Sequence, residues 1–199
     1  MKDRWNERYS VSGYVYGTEP NEFFKKQIVK LSAGRLLLPG EGEGRNAVYA
    51  ASLGWEVDAF DYSKQAFRKA RSLAEQKNVN INYIVSSYED YQYPLEHYDA
   101  AGLIYIHMPP DIRQSIHRKI IRSLKPGGII ILEAFHKEQI NYDTGGPKDI
   151  DMLYSEDKLT EDFKGLHIVS LEKEKIPLQE GILHAGDAVV IRFMGKVAS

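Results

Sequence analysis

The stretch Arg35 to Asn46, RLLLPGEGEGRN, constrains this chain more than any other. It joins a short aliphatic run, Leu36 to Leu38, to a turn with glycines at 40, 42 and 44 and then to the start of a helix. A second short strand, Val57 to Phe60, follows and ends in Asp61. In a strand, turn, helix, strand unit the chain crosses over and returns parallel, so both strand ends open on the same side. That puts the glycine turn and Asp61 on one rim. Glycine lets backbone approach a ligand closely or take positive φ, where a Cβ would collide. The free N–H groups opening the next helix would face the same cleft and favour a carboxylate or phosphate. Asp61, an acceptor-only group, suits the paired hydroxyls of a ribose. Together these features describe a nucleoside pocket.

The spacing discriminates among nucleosides. A dinucleotide fingerprint, G-x-G-x-x-G, counted from Gly40 would need glycine at 45, and this chain has Arg45 there. A nicotinamide cofactor thereby loses its third glycine.

Composition narrows the partners. At 199 residues the chain fits one domain with a sizeable core, and 43% hydrophobic with 27% charged residues is ordinary for a soluble globular protein. Lys plus Arg (26) nearly balances Asp plus Glu (28), with no basic stripe for a phosphate backbone, so nucleic acid is not the expected partner. The absence of cysteine excludes a disulfide framework, a thiolate zinc site and a cysteine nucleophile. No apolar run approaches the roughly 18 residues of a membrane span, and Met1 to Pro20 has no signal-peptide core. The expectation is a cytoplasmic protein without a membrane partner.

Along the chain, the first twenty residues hold Trp5, Tyr9, Tyr14 and Tyr16 without clean periodicity. Asn21 can cap a helix whose apolar face is Phe24, Ile28 and Leu31, ending near Gly34. The aromatic segment ahead of it, within residues 1–33, reads either as a lid over a cofactor or as a plain strap in a surface groove. Asn46 to Leu53 reads as a helix stopped by Gly54. Ser63 caps the next, with Ala66, Phe67, Ala70, Leu73 and Ala74 on its buried face. Asn80 to Val85 is a third strand and Ala100 to Ile106 a fourth. Pro109 and Pro110 open a helix faced by Ile112, Ile116, Ile120 and Leu124. A Pro-Gly turn, LKPGG, ends it before the aliphatic strand Ile129 to Leu132. Residues 136 to 154 read as a long loop, of a length that is usually functional or mobile. Ser155 caps a short helix. Ile168 to Leu171 and Ala188 to Phe193 read as a closing antiparallel pair joined by LQEGILHAGD. No repeat or linker is visible, so residues 1–199 form a single domain.

With the whole chain read, the G-x-G-x-G turn after an aliphatic strand and the acidic residue closing the next strand resemble the class I S-adenosylmethionine-dependent methyltransferases. YDAAGLIYIHMPPDIR and LKPGGIIILEAF are similar to that family's fourth and fifth strands, and the likeness covers about residues 35 to 193. The short chain, the aromatic N-terminal segment, TGGP and ILHAGDAVVIRF resemble the small tellurite-resistance and thiopurine-type enzymes. The resemblance implies an α/β fold, a three-layer Rossmann-like seven-stranded, mostly parallel sheet with an antiparallel last strand. It also implies S-adenosylmethionine as cofactor, with S-adenosylhomocysteine as product. Carried over, Gly40, Glu41 and Gly42 would lie against the methionine part, Asp61 on the ribose and Tyr62 on the adenine. Asn46 and Tyr16 would add further cofactor contacts. Ser87 stands where many members have an aspartate for the adenine amino group, so the Tyr88 N–H could serve instead. Tyr105 and His107 would face the methyl group.

Because a sulfonium methyl is already electrophilic, the protein has to align the acceptor and exclude water. A base matters only for an acceptor that arrives protonated. His107 is the first catalytic candidate, with His136 and His184 next. Arg8 and Arg113 could hold an anionic acceptor. The histidines lack metal-ligand spacing, so no metal is expected. The reading is methyl transfer to a small-molecule acceptor by a monomer or homodimer. A nicotinamide-dependent oxidoreductase, disfavoured by Arg45, and a catalytically idle nucleoside-binding module are the alternatives.

Overall fold

A computed structural model describes residues 2–181 and 183–199. Met1, at the head of the N-terminal segment, and Ile182, inside the expected hairpin connection, lie outside the described residues. The sheet has seven strands: β1 Arg35–Pro39, β2 Glu56–Asp61, β3 Asn82–Val85, β4 Tyr98–Ile104, β5 Leu124–Phe135, β6 His167–Gln179 and β7 Ala185–Lys196. Their order is β3-β2-β1-β4-β5-β7-β6. The pairs from β3 through β5 are parallel, and β7 runs antiparallel to both β5 and β6. The expected fold class is what the chain adopts.

Alternation along the strands builds the two faces. Leu36 and Leu38 of β1, with Val57, Ala59, Ala100 and Ile131, pack on one side. There they meet α2 Glu22–Ile28, α3 Arg45–Ser52 and α4 Lys64–Gln76 through Phe24, Ile28, Ala47, Ala50 and Ala70. Leu37 points the other way, joining Phe60, Ala101, Leu103, Ile130, Leu132 and Phe193. That side is covered by Ile116 and Ile120 of α5 Pro110–Ser123 and by Leu159 of α6 Glu156–Asp162. Each fully buried aliphatic side chain contributes roughly 1.5–3 kcal/mol, which fixes the register because a one-residue slip would exchange the faces. The strand order reverses between β1 and β4, and open α/β sheets bind ligands at such a switch, beyond the strands' carboxyl ends.

The caps at Asn21, Ser63 and Ser155 are where the sequence places them, each accepting from a main-chain N–H of its helix. Three expectations shift. The helix after Asn21 stops at Ile28, well short of Gly34. The first residues are not without regular structure, for α1 spans Lys2–Arg8. The closing strands are also far longer than their aliphatic cores, meeting in the full register His167↔Lys196 to Gln179↔Ala185. β6 is the sheet edge, exposed along most of its length, so its Glu and Lys residues hide its periodicity and, with Pro177, discourage edge pairing.

Candidate active site

A cavity of 260 Å³ opens over the carboxyl ends of β1, β2 and β4. Its lining includes Gly40, Glu41, Gly42, Asn46, Asp61, Tyr62, Tyr88, Tyr105 and His107 from the sequence reading, together with Tyr16. Ser87 is not among the lining residues. Its hydroxyl donates to Asp90 Oδ2 at 2.7 Å and accepts from the Asp90 N–H at 3.0 Å, capping the turn that follows β3, and so it is removed from the adenine contacts.

The glycine turn does two jobs. Gly40 and Gly42, at φ 58° and 64°, bring bare backbone to the cavity wall. Gly44 serves packing: at φ 88°, its Cβ would lie 2.8 Å from the Ala70 Cα, so only glycine lets α3 and α4 approach so closely.

The N–H groups at the head of α3 are not free for a ligand, contrary to expectation. The Glu41 carboxylate accepts from Asn46 N and Ala47 N, both at 2.8 Å, and from Asn46 Nδ2 at 3.3 Å. The protein supplies its own anion to the helix terminus. Burial nonetheless lifts the Glu41 pKa to about 7 against these bonds. Asn46 is committed as well, its Oδ1 accepting from Asn21 N at 2.9 Å.

Asp61 is positioned as expected. Oδ1 accepts from Ser63 N at 2.9 Å and Oδ2 from Gly42 N at 3.2 Å, tying the carboxylate to the turn across from it. A carboxylate has about four acceptor positions, so capacity remains for two hydroxyls. Burial raises its pKa to about 6. The rings of Tyr62 and Tyr88 meet edge to face, centroids 5.2 Å apart, beside it.

The N-terminal segment roofs the site. Asn6 Oδ1 accepts from Ser63 Oγ at 2.8 Å and Lys64 N at 3.1 Å, docking α1 on the start of α4. Glu43 accepts from Val15 N at 2.7 Å and from Lys69 Nζ at 2.7 Å, pinning the strap to the glycine turn. Arg8 lies over the Trp5 ring at 4.8 Å and donates to the Tyr16 hydroxyl at 2.9 Å.

His107 cannot serve as the base in this arrangement. Nδ1 lies 2.9 Å from the Met152 carbonyl, which only accepts, so Nδ1 is the protonated nitrogen, and Nε2 accepts the Phe135 N–H at 3.2 Å. Burial lowers its pKa to about 4. It is a neutral brace between β5 and the loop before α6. His136 also lies away from the cavity, against Glu156 and the Glu138 N–H. Arg113, expected at the surface or on an anionic acceptor, is buried and bonded to Asp162 at 2.6 Å. The chain contains a Tyr-x-x-x-Lys spacing at Tyr154 and Lys158. Tyr154 faces His117, and Lys158 donates to the Asp151 and Leu153 carbonyls, both off the cavity lining.

His184 lines the cavity as well, and its Nε2 is not taken up by main chain. It is 7% exposed, with Nδ1 3.3 Å from Glu180 Oε2. No described residue bonds its Nε2. Burial lowers its pKa, against the opposing pull of Glu180. Glu180 also accepts from Arg45 Nη2 at 2.9 Å and, on Oε1, from Asn21 Nδ2 at 2.9 Å, and its pKa falls to about 2. Sequence reasoning ranked His184 behind His107 and missed Glu180, whose only signal is a four-residue spacing inside a loop. The rings of Tyr16, Tyr105 and Phe135 surround the imidazole at 4.6, 4.7 and 5.3 Å. Among the described residues, no group of His, Asp and Glu could hold a metal ion.

Residues 37–128 match the model of a family described as a methyltransferase domain. No curated protein matches the chain. Among solved structures, one concerned with converting a disulfide bond into a thioacetal group in echinomycin biosynthesis superposes with a TM-score of 0.78 at 16% identity, covering 97% of this chain and 88% of that one. TehB from Haemophilus influenzae gives 0.74 at 16% identity, over 98% of this chain and 66% of that longer one. A SAM-dependent methyltransferase from Methanosarcina mazei gives 0.72 at 15% identity, over 90% and 99%. At these identities the likeness is one of fold.

Proposed function

We propose that this chain, which carries a methyltransferase domain over residues 37–128 and takes S-adenosylmethionine as its cofactor, transfers the methyl group to a small-molecule acceptor. The observation that carries this reading is the buried Asp61 carboxylate. It is held to the Gly42 N–H on the wall of a cavity that continues to His184. The residues present fit an adenosyl group. Asp61 retains acceptor capacity for the ribose hydroxyls, Tyr62 and Tyr88 offer ring surface for adenine, and the Gly40–Gly42 backbone lines the cavity beside the Tyr88 and Tyr9 hydroxyls, toward the methionine part. Arg8 lines the roof without a carboxylate partner among the described residues and suits the cofactor's own carboxylate.

When bound, the cofactor supplies an electrophilic methyl on a positively charged sulfur. The chain's share is position and dryness. Asp61 and the glycine turn fix one end, and the roof of Trp5, Tyr9 and Tyr16 keeps water from the reacting atoms. Orientation of this kind can be worth about 7–11 kcal/mol at its upper limit. His184, its Nδ1–H held by Glu180, keeps an Nε2 lone pair toward the cavity and can take a proton from an acceptor that arrives protonated.

Calorimetry against S-adenosylhomocysteine and NAD tests the reading. Binding of the sulfur nucleoside with no response to NAD is expected. The reverse pattern would replace methyl transfer with nicotinamide chemistry.

A further inference from the structure

Past the nucleoside half, the cavity ends in a chamber whose contents restrict what it can receive. Tyr105 and Phe135, centroids 4.7 Å apart, form one wall, and Tyr16, Pro147 and Met152 complete the apolar lining. Among the described residues, the side-chain polar atoms at this end without a hydrogen-bond partner are the Tyr105 hydroxyl and His184 Nε2, the latter on a side chain more than nine-tenths buried. Gly145 packs closely on the imidazole. At φ 131°, a Cβ there would sit 2.9 Å from Cδ2 and 3.2 Å from Nε2 of the imidazole and 3.0 Å from Phe135 Cζ, so a larger residue would displace the His184 ring.

The charges nearby are already committed. Arg45 is neutralised by Glu180 and donates to the Tyr16 carbonyl at 3.2 Å, while Arg8, in the roof on Trp5 and Tyr16, is the group that suits the cofactor's own carboxylate. Glu41, Glu43 and Asp61 line the same cavity. With Arg8 on the cofactor and Arg45 on Glu180, a small oxyanion in the chamber would find no guanidinium fork left to receive it. Aromatic walls instead favour a ring, stacked or edge-on at about 4.5–7 Å.

We propose that the acceptor is an uncharged aromatic ring bearing a hydroxyl group, seated against Tyr105 and Phe135 with its O–H directed at His184 Nε2. The proposal rests on the methyl-transfer reading and specifies its substrate. A phenolic hydroxyl, with an ordinary pKa of about 10, arrives protonated at neutral pH and needs a base. Chalcogen anions arrive already ionised and would give His184 no proton to accept. As the acceptor oxygen bonds the methyl carbon, the methyl–sulfur bond breaks with its electron pair going to sulfur, and the hydroxyl proton passes to Nε2. The imidazolium keeps its Nδ1–H on Glu180 Oε2, which it shares with Arg45, and it gives its proton to water once the ether product leaves.

The full chain is first saturated with S-adenosylhomocysteine, with saturation verified by calorimetry, and then titrated with phenol, thiophenol and selenite. The same three are offered with labelled S-adenosylmethionine. Phenol is expected to bind the loaded protein and to be O-methylated, and selenite to do neither. His184→Gln is expected to lower phenol methylation by about 100-fold or more while S-adenosylhomocysteine affinity stays unchanged. Preferential methylation of selenite or thiophenol, phenol turnover unaffected in His184→Gln, or no phenol binding to the loaded wild-type protein would each overturn the proposal. Failure of S-adenosylhomocysteine to bind at the first step is read separately and removes the methyl-transfer reading itself.

Discussion

A single oxygen of Glu180, Oε2, accepts from both His184 Nδ1 at 3.3 Å and Arg45 Nη2 at 2.9 Å. The imidazole that faces the acceptor chamber and the arginine that opens α3 therefore share one anion. Glu180→Gln leaves Arg45 buried without a counter-charge, a change that typically costs about 3–5 kcal/mol. The wild-type Glu180 pKa is lowered to about 2, so its stabilisation is full above the ordinary carboxylate value near 4.5 and is lost as pH falls toward 2. Urea denaturation should therefore give a wild-type minus Glu180→Gln gap that is level from pH 8 to 5 and closes below pH 4.

Asp61→Asn should weaken S-adenosylhomocysteine by tenfold or more, because charge-assisted bonds to two hydroxyls are each worth about 1.5–3 kcal/mol. Burial raises the Asp61 pKa to about 6, and the ionised form is the one that accepts from both hydroxyls. Wild-type affinity should fall as pH drops through 6, and the asparagine variant should lack that step. Calorimetry from pH 5 to 8 reads both.

His107→Ala should act on stability before chemistry. It removes the partners of the Met152 carbonyl and the Phe135 N–H, at about 1–3 kcal/mol for each buried group left unpaired. Because the folded-state pKa is lowered from 6.5 to about 4, the neutral brace is fully stabilising above pH 6.5 and weakens as pH falls toward 4. Denaturation midpoints at pH 8 and pH 5 check this. A bell-shaped rate profile abolished by the substitution, with stability intact, would restore His107 as a base.

Gly145→Ala is expected to reduce turnover sharply while cofactor affinity is kept. The added methyl crowds the His184 and Phe135 rings and also forces an L residue to φ 131°. Parallel measurement of turnover and S-adenosylhomocysteine binding separates a blocked chamber from a damaged fold.

Asn6→Ala should loosen the roof without unfolding the domain. Asn6 gives the Lys64 N–H and the Ser63 hydroxyl a second anchor, while Ser63 still caps α4 alone. Stopped-flow release of a fluorescent S-adenosylhomocysteine analogue should be several-fold faster with the melting temperature little changed. An unaltered release rate would mean α1 is a fixed strap.

The parts of the molecule governed by local rules could be read from the chain. The glycine turn, the carboxylate at Asp61 and the caps at Asn21, Ser63 and Ser155 each follow from backbone conformation or from orphan N–H groups within a few residues. Arrangements made across the sheet could not be read. Nothing near Glu41 in sequence announces that it will spend its carboxylate on α3 when a ligand could also use that terminus. His107 and His184 look alike in one dimension. What separates them is whether main-chain groups from distant segments reach both nitrogens or only a carboxylate reaches one. The length of β6 beyond Leu171 escaped for a different reason, because an edge strand keeps its charge on both faces and so lacks the alternation that marks a buried one.

The reversal of β7 carries a consequence for how the protein comes into being. The glycine turn and Asp61 lie within the first five strands, whereas Glu180 and His184 stand on the turn into the reversed strand, whose Ile191 and Phe193 complete the core under β1 and β2. A chain emerging from the ribosome would thus have its glycine turn and Asp61 in hand well before Glu180 and His184, and the cavity would be finished only when the last strand slots in.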